Sequence, residues 1–204
     1  MSVDRVAILG GTGEEGFGLA SRWARAGIEI VIGSRDAGRA DEAARRLEAV
    51  APGCAARGAV NDEAAGEADV VCVTVPFSGQ AALYRSVAER LRPDAVVIDC
   101  TVPLAAATGG RPWHTLGVWQ GSAAQQALAL VGGPRVCAAF HTLSASALND
   151  LDEDLEGDVL VCGPKAAKPA LRDLVEAIPR LRFVDAGGLD NARIVEPLTA
   201  LLVG

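Results

Sequence analysis

The chain has 204 residues, half of them hydrophobic, and its 26 acidic side chains outweigh 17 arginines and two lysines to leave a formal net charge of −7. A chain of this length buries roughly 70% of the surface it exposes when unfolded, which suits a single α/β core and leaves no room for two large domains. The absence of a basic run argues against a nucleic-acid footprint, and no apolar run reaches membrane-spanning length, so the expected partners are small molecules or a second copy of the chain.

The opening Met1-Ser2-Val3-Asp4-Arg5 has neither the charged start nor the long apolar stretch of a secretory signal, and a cytoplasmic setting is expected. It leads into Val6-Ala7-Ile8-Leu9, then Gly10-Gly11-Thr12-Gly13-Glu14-Glu15-Gly16, then a helical pattern from Glu15 to Ala26. Strand, tight turn and helix in this order predict a dinucleotide-binding turn. Gly11, Gly13 and Gly16 satisfy G-x-G-x-x-G, with the first glycine for the turn, the second for close approach of a pyrophosphate and the third for packing helix on strand. Gly11, Thr12, Gly13, Glu15 and Gly16 are therefore candidate cofactor-binding residues, with the pyrophosphate expected on free N–H groups at the helix start.

Gly27 stops the first helix, and Glu29-Ile30-Val31-Ile32-Gly33 predicts a second strand almost directly joined to it, as a right-handed βαβ unit requires. An NAD-binding unit commonly closes this strand with an acidic residue for the ribose 2′-hydroxyl. Here the strand closes with Gly33-Ser34-Arg35, and Arg39 lies one helical turn further on, so Ser34, Arg35 and Arg39 predict a 2′-phosphate and hence NADP(H).

Residues 37–51 read as a helix, 54–60 as a strand and 61–67 as a short helix capped by Asn61. Val70 to Val75 is a continuous β-branched run, closed by Pro76, as expected of a parallel strand covered on both faces. A helix over 80–91 and a strand over 95–99 complete a βαβαβαβαβ order. Residues 100–121 form a long loop holding Trp113 and Trp119, and Ser122 caps a helix reaching Val131. Arg135 to Phe140 predicts another strand with His141-Thr142 at its end, an acidic loop follows, and 159–162, 165–178 and 182–185 continue the alternation. A last helix spans about 190–203 with a kink at Pro197. The five cysteines are odd in number and lack a C-x-x-C pair, so they are read as small buried hydrophobes, with no metal site expected.

Ligands in such sheets lie beyond the carboxyl ends of the strands, near the point where strand order reverses. Those ends include Thr74-Val75-Pro76-Phe77, Thr101-Val102-Pro103 and His141-Thr142. His141, one of two histidines in the chain, is the candidate catalytic residue, and its alternative is a strand-end histidine satisfied by a backbone carbonyl.

Taken together, Leu9-Gly10-Gly11-Thr12-Gly13, Gly33-Ser34-Arg35, Val73-Thr74-Val75-Pro76, Asp99-Cys100-Thr101-Val102-Pro103-Leu104, Gly121-Ser122-Ala123-Ala124, Ala138-Ala139-Phe140-His141-Thr142, Val161-Cys162-Gly163 and Asp185-Ala186-Gly187 resemble the NADPH-dependent coenzyme F420 reductases over nearly the whole chain. The resemblance implies hydride exchange between NADP(H) and an 8-hydroxy-5-deazaflavin in a homodimeric enzyme. It implies a nicotinamide against Pro76 and Ala138-Ala139, and a deazaflavin near Val102-Pro103, His141-Thr142 and Leu189-Asp190-Asn191. The expected fold is a doubly wound, Rossmann-like, mostly parallel sheet. Residues 1–134 would form its NADP-binding core, and 135–204 a small α/β extension completing the second-substrate pocket and dimer interface. Two alternatives stay open: an NADPH-dependent reductase of a small imine or carbonyl compound, and a non-catalytic NADP-binding sensor in which Trp113 or Trp119 closes the second pocket.

Overall fold

Alternation along the strands decides how the helices are shared between two faces. In β1 (Arg5–Leu9), Val6 and Ile8 enter one core while Ala7 and Leu9 enter the other, because successive side chains leave a strand on opposite sides. The computed structural model describes residues 3–133 and 135–203; Met1 and Ser2 of the opening segment, Pro134 at the expected domain boundary and Gly204 lie outside them. Among the described residues, β2 (Glu29–Ser34), β3 (Ala56–Val60), β4 (Val70–Val73), β5 (Val96–Asp99) and β6 (Arg135–Ala138) join β1 in one parallel sheet of order β3-β2-β1-β4-β5-β6. The expected doubly wound sheet is thus present, and the order reverses between β1 and β4.

One face of the sheet is covered by α1 (Glu14–Arg25) and α2 (Ala37–Val50), with α6 (Ala145–Asn149) and α7 (Lys168–Glu176) extending the same core. The other carries α3 (Asn61–Glu67), α4 (Phe77–Val87), α5 (Ala123–Val131) and α8 (Ala192–Val195). Two further strands, β7 (Gly157–Val161) and β8 (Leu181–Asp185), make a separate parallel pair, tied to the main sheet by an antiparallel bridge between Ala138 and Cys162. The main sheet therefore runs through Ala138. No helix among the described residues is long and apolar enough to cross a membrane.

Register aligns the strand ends. Leu9 pairs with Val73, Val73 with Asp99 and Asp99 with Ala138, so the residues that follow each of them emerge along one edge. The strand expected to reach Phe140 stops at Ala138, the last residue in register with β5; the Ala139 N–H still donates to the Asp99 carbonyl at 3.3 Å, and Phe140 takes a left-handed backbone with φ 69°. Its ring meets Trp23 edge-on, with centroids 5.6 Å apart, and both rings are buried. Packing holds a backbone conformation that costs a non-glycine residue of order 1–3 kcal/mol, and the turn delivers His141 to the strand-end edge.

Other boundaries shift for local reasons. Asn61 does not cap α3: Val60 occupies the extended cap position and Asn61 is the first helical residue. Within the stretch read as an acidic loop, Ser144 caps the short α6, whose terminal carbonyls are gathered by the Arg22 guanidinium from Ala147, Leu148 and Asp150. The last helix is broken rather than kinked. A 3-10 turn over Leu189–Asn191 and α8 are separated by Glu196-Pro197 from α9 (Leu198–Leu202), since proline brings no N–H to continue the ladder.

Candidate active site

The glycine turn is built for close approach. Its left-handed residue is Gly10, with φ 89°, and not Gly11 as the motif alone suggested; Gly11 is needed because a side chain there would meet the Ile8 carbonyl at 2.9 Å. A Cβ on Gly16 would lie 2.5 Å from Thr74 Oγ1 and 2.8 Å from the Gly10 carbonyl, so the start of α1 can rest on β1 and β4 only without one. Gly13 precedes α1 and offers no capping side chain, which leaves the first-turn N–H groups facing outward for an anion.

A cleft of about 480 Å³ opens over this turn. Gly10, Thr12 and Gly13 form its floor, Ser34, Arg35 and Arg39 one side, and Thr74, Val75 and Pro76 the far end. Asp36, which the sequence reading did not weigh, also faces the cleft, but its carboxylate caps α2 by accepting from the Arg39 N–H at 2.9 Å. Asn61 lines the same cleft with a buried Oδ1 that has no hydrogen-bond partner. Ser78, Ala82 and Ser86, spaced four apart on α4, supply a small-residue wall that this periodicity could have revealed.

A second cavity of about 280 Å³ adjoins the first, and Thr74, Val75 and Pro76 line both. Its other walls come from Glu15, Phe77, Cys100, Thr101, Val102, Leu104, His141, Leu143 and Thr199. His141 is buried, and neither Nδ1 nor Nε2 has a partner in hydrogen-bonding geometry among the described residues. Burial lowers its pKa to about 4, while the nearby Asp99 backbone opposes the shift without making a well-formed bond. The ring is therefore neutral at physiological pH, with one nitrogen able to donate and the other to accept.

Below this cavity lies a buried network centred on Asp99. One carboxylate oxygen accepts from Gln80 Nε2 at 2.8 Å and Tyr84 Oη at 2.7 Å; the other accepts from the Thr101 N–H at 3.0 Å and the Thr101 hydroxyl at 2.5 Å. Burial pushes the Asp99 pKa up and these donors pull it back. Glu15, partly exposed on the cavity wall, is pushed up to about 8, chiefly by desolvation and then by Asp99. Among the described residues no cluster of His, Cys, Asp and Glu could hold a metal, and the five cysteines are free thiols.

Most sequence-derived candidates come together at these two cavities, with differences. Glu15 faces the second cavity instead of the first. Gly11 and Gly16 shape the turn from behind, and Pro103 and Thr142 stand beside lining residues without lining either cavity. Ala138 and Ala139 are fully buried, with the Ala138 N–H spent on the Cys162 carbonyl at 2.8 Å. Leu189 and Asn191 line neither cavity; the Asn191 amide donates to the Ala186 carbonyl at 2.8 Å. Trp113 and Trp119 also line neither, and Trp119 is 98% exposed. Leu104, Leu143 and Thr199 were missed; Thr199 reaches the site from 58 residues beyond His141, and no local pattern marks it.

A family model described as NADP oxidoreductase, coenzyme F420-dependent, matches residues 5–103. The F420-dependent NADP reductase of Methanothermobacter thermautotrophicus is 42% identical over 98% of this chain and 88% of its own. The chain belongs to this family. The crystal structure of a candidate F420-dependent NADP reductase from Arthrobacter superposes with a TM-score of 0.78 at 25% identity, covering 98% of this chain and 91% of that one. A 3-hydroxyisobutyrate dehydrogenase from Mycobacterium tuberculosis shares the fold alone, with a TM-score of 0.65 at 19% identity over 96% of this chain and 58% of that one.

Proposed function

We propose that this member of the family is an oxidoreductase that transfers a hydride directly between NADP(H) and the 8-hydroxy-5-deazaflavin coenzyme F420. The observation that carries the reading is the wall Thr74-Val75-Pro76 common to both cavities, which lets two flat rings approach each other across one strand end. The dinucleotide lies in the larger cleft, with its pyrophosphate over the Gly10–Gly13 turn and its 2′-phosphate between Ser34, Arg35 and Arg39. The deazaflavin occupies the second cavity. The pair supplies the redox chemistry, and the protein supplies positioning and exclusion of water. Val75 and Pro76 fix the spacing, and His141, neutral and unpartnered, hydrogen-bonds the polar edge of the deazaflavin. Residues 1–134 supply the whole larger cleft, while 135–204 add His141, Leu143 and Thr199 to the second cavity, and this is the functional sense of a division at 134.

The enzyme acts as a homodimer in the cytoplasm. Ile194, Leu201, Leu202 and Val203 are exposed apolar side chains near the chain end, which a second copy would cover, and free thiols suit a reducing compartment. Light scattering at micromolar concentration is expected to give twice the chain mass of 20.9 kDa, and a monomer there rejects the dimer. The activity is tested by mixing purified protein with NADPH and oxidised deazaflavin. Its absorbance should fall, and deuterium from stereospecifically labelled NADPH should appear on the ring; label drawn from solvent instead excludes direct transfer.

A further inference from the structure

The geometry points to Glu196 as a positioning residue for the second substrate: its carboxylate pins the chain-terminal segment to the start of α5 and so holds Thr199 in the wall of the second cavity. The inference rests on the assignment of that cavity to the hydride-accepting or hydride-donating co-substrate.

Glu196 has nearly no solvent exposure, 1%, although it is an acidic residue on a broken helix near the end of the chain. A carboxylate in that position needs partners, and it has them 72 and 73 residues away: one oxygen accepts from the Ala124 N–H at 3.0 Å and the other from the Ala123 N–H at 2.8 Å. These are first-turn amides of α5, which have no acceptor within their own helix, and the positive end of the helix favours the charge. Ser122 already caps the next free amide, accepting from Gln125 N–H at 3.1 Å, so Glu196 completes an N-terminus that is otherwise half satisfied. A bidentate carboxylate on two backbone donors also fixes direction, which a single bond does not.

Pro197 follows at once, and the chain turns into α9. Three residues after Glu196, the Thr199 hydroxyl donates to the His141 carbonyl at 2.8 Å while Thr199 itself lines the second cavity. Among the described residues the segment thus has two side-chain hydrogen-bond attachments on the body of the protein, one at each side of the proline break. The Thr199 attachment is one neutral hydrogen bond between partly exposed groups. The Glu196 attachment is buried and made of two hydrogen bonds, so it is the stronger, and the place of Thr199 in the cavity wall follows from it. Within one copy Ala200 is buried, while Leu201, Leu202 and Val203 are exposed and add little further hold.

Among the described residues the larger cleft draws none from beyond Ser86, so the two substrates should respond differently to loss of this anchor. In Glu196→Ala the KM for the deazaflavin is expected to rise about tenfold or more, with the KM and Kd for NADPH within about twofold of the parent. Glu196→Gln, which keeps the side-chain volume and one carbonyl acceptor, should lie between. Hydrogen exchange followed by mass spectrometry tests the anchor without reference to turnover: amides 123–124 and residues 197–203 should exchange faster in Glu196→Ala, with β1 to β4 unchanged. Unchanged exchange in those two segments overturns the anchor. Faster exchange with parallel changes in both KM values, or with kcat alone reduced, overturns the selective positioning role. If the parent protein itself fails to turn over a deazaflavin, the exchange result still decides the anchor, and the functional assignment fails separately.

Discussion

The two cavities meet at Thr74-Val75-Pro76 yet are built from different materials. The larger cleft is made of backbone and exposed charge, with a floor of glycine turn and with cations at the start of α2, and all its residues fall between Gly10 and Ser86. The smaller cavity is made of side chains gathered from five separate stretches, and its one ring with free hydrogen-bonding capacity is buried. A site that reads phosphates can rely on helix starts, which come with the fold. A site that reads one face of a heterocycle needs side chains whose aim is set by packing elsewhere, as Phe140 against Trp23 sets the turn before His141.

That contrast can be broken at the backbone first. Gly16→Val would push atoms into Thr74 Oγ1 and the Gly10 carbonyl and lift α1 from the turn, so NADPH affinity should fall more than a hundredfold, with about 1–3 kcal/mol lost from stability. A fluorescence titration showing parent-like Kd would mean that the turn does not hold the dinucleotide. Next in size is Arg35→Ala. Losing a hydrogen bond to a charged group costs roughly 1.5–3 kcal/mol, so NADPH binding should weaken about ten- to a hundredfold while NADH binding hardly changes. Equal losses for both nucleotides would leave Arg35 without a role in reading the 2′-phosphate.

The second cavity is sharpened by His141→Ala, expected to lower turnover with the deazaflavin by about tenfold and to leave NADPH affinity nearly intact. Because burial holds His141 near 4, its charged form is disfavoured in the fold, and the stability it contributes is present above the unfolded value of 6.5 and lost as pH falls from there toward 4. Rates between pH 6 and 8 should therefore carry no inflection from this ring, and one that disappears in His141→Ala contradicts a neutral role.

The smallest effect concerns Glu15. Its pKa is raised to about 8, so the proton is held more tightly in the folded state than in the unfolded one, and its contribution to stability is lost as pH climbs from the ordinary value of 4.5 through 8. Glu15→Gln should flatten the decline in Tm over that range, and identical Tm profiles would place the carboxyl in an ordinary solvated state.

The larger cleft was legible in the sequence because its parts are punctuation: glycines after a strand, a strand closing in Ser34-Arg35, a proline after a β-branched run. Besides the α4 wall, its omissions were a cap and a helix start, since Asp36 and Asn61 have the composition of ordinary helix N-termini and only their placement turns them toward the cleft. The second cavity was legible only where a strand ends, at Thr101-Val102 and His141. Thr199 depends on how the chain folds back after Pro197, and Asp99 on Gln80 and Tyr84 of another element; neither contact has a local signature. The same cause explains Leu189 and Asn191. The family resemblance put them near the second substrate; they line neither cavity, whereas Thr199, beyond the break at Glu196-Pro197, lines the second.

On the proposed assignment of the two cavities, their common wall also bears on the order of events in time. Since Thr74-Val75-Pro76 separates two spaces and belongs to both, neither occupant has to leave before the other enters. Both substrates can be resident together, and initial rates measured against one of them at several fixed levels of the other should give intersecting reciprocal lines. Parallel lines would mean that the wall divides the visits instead of joining them.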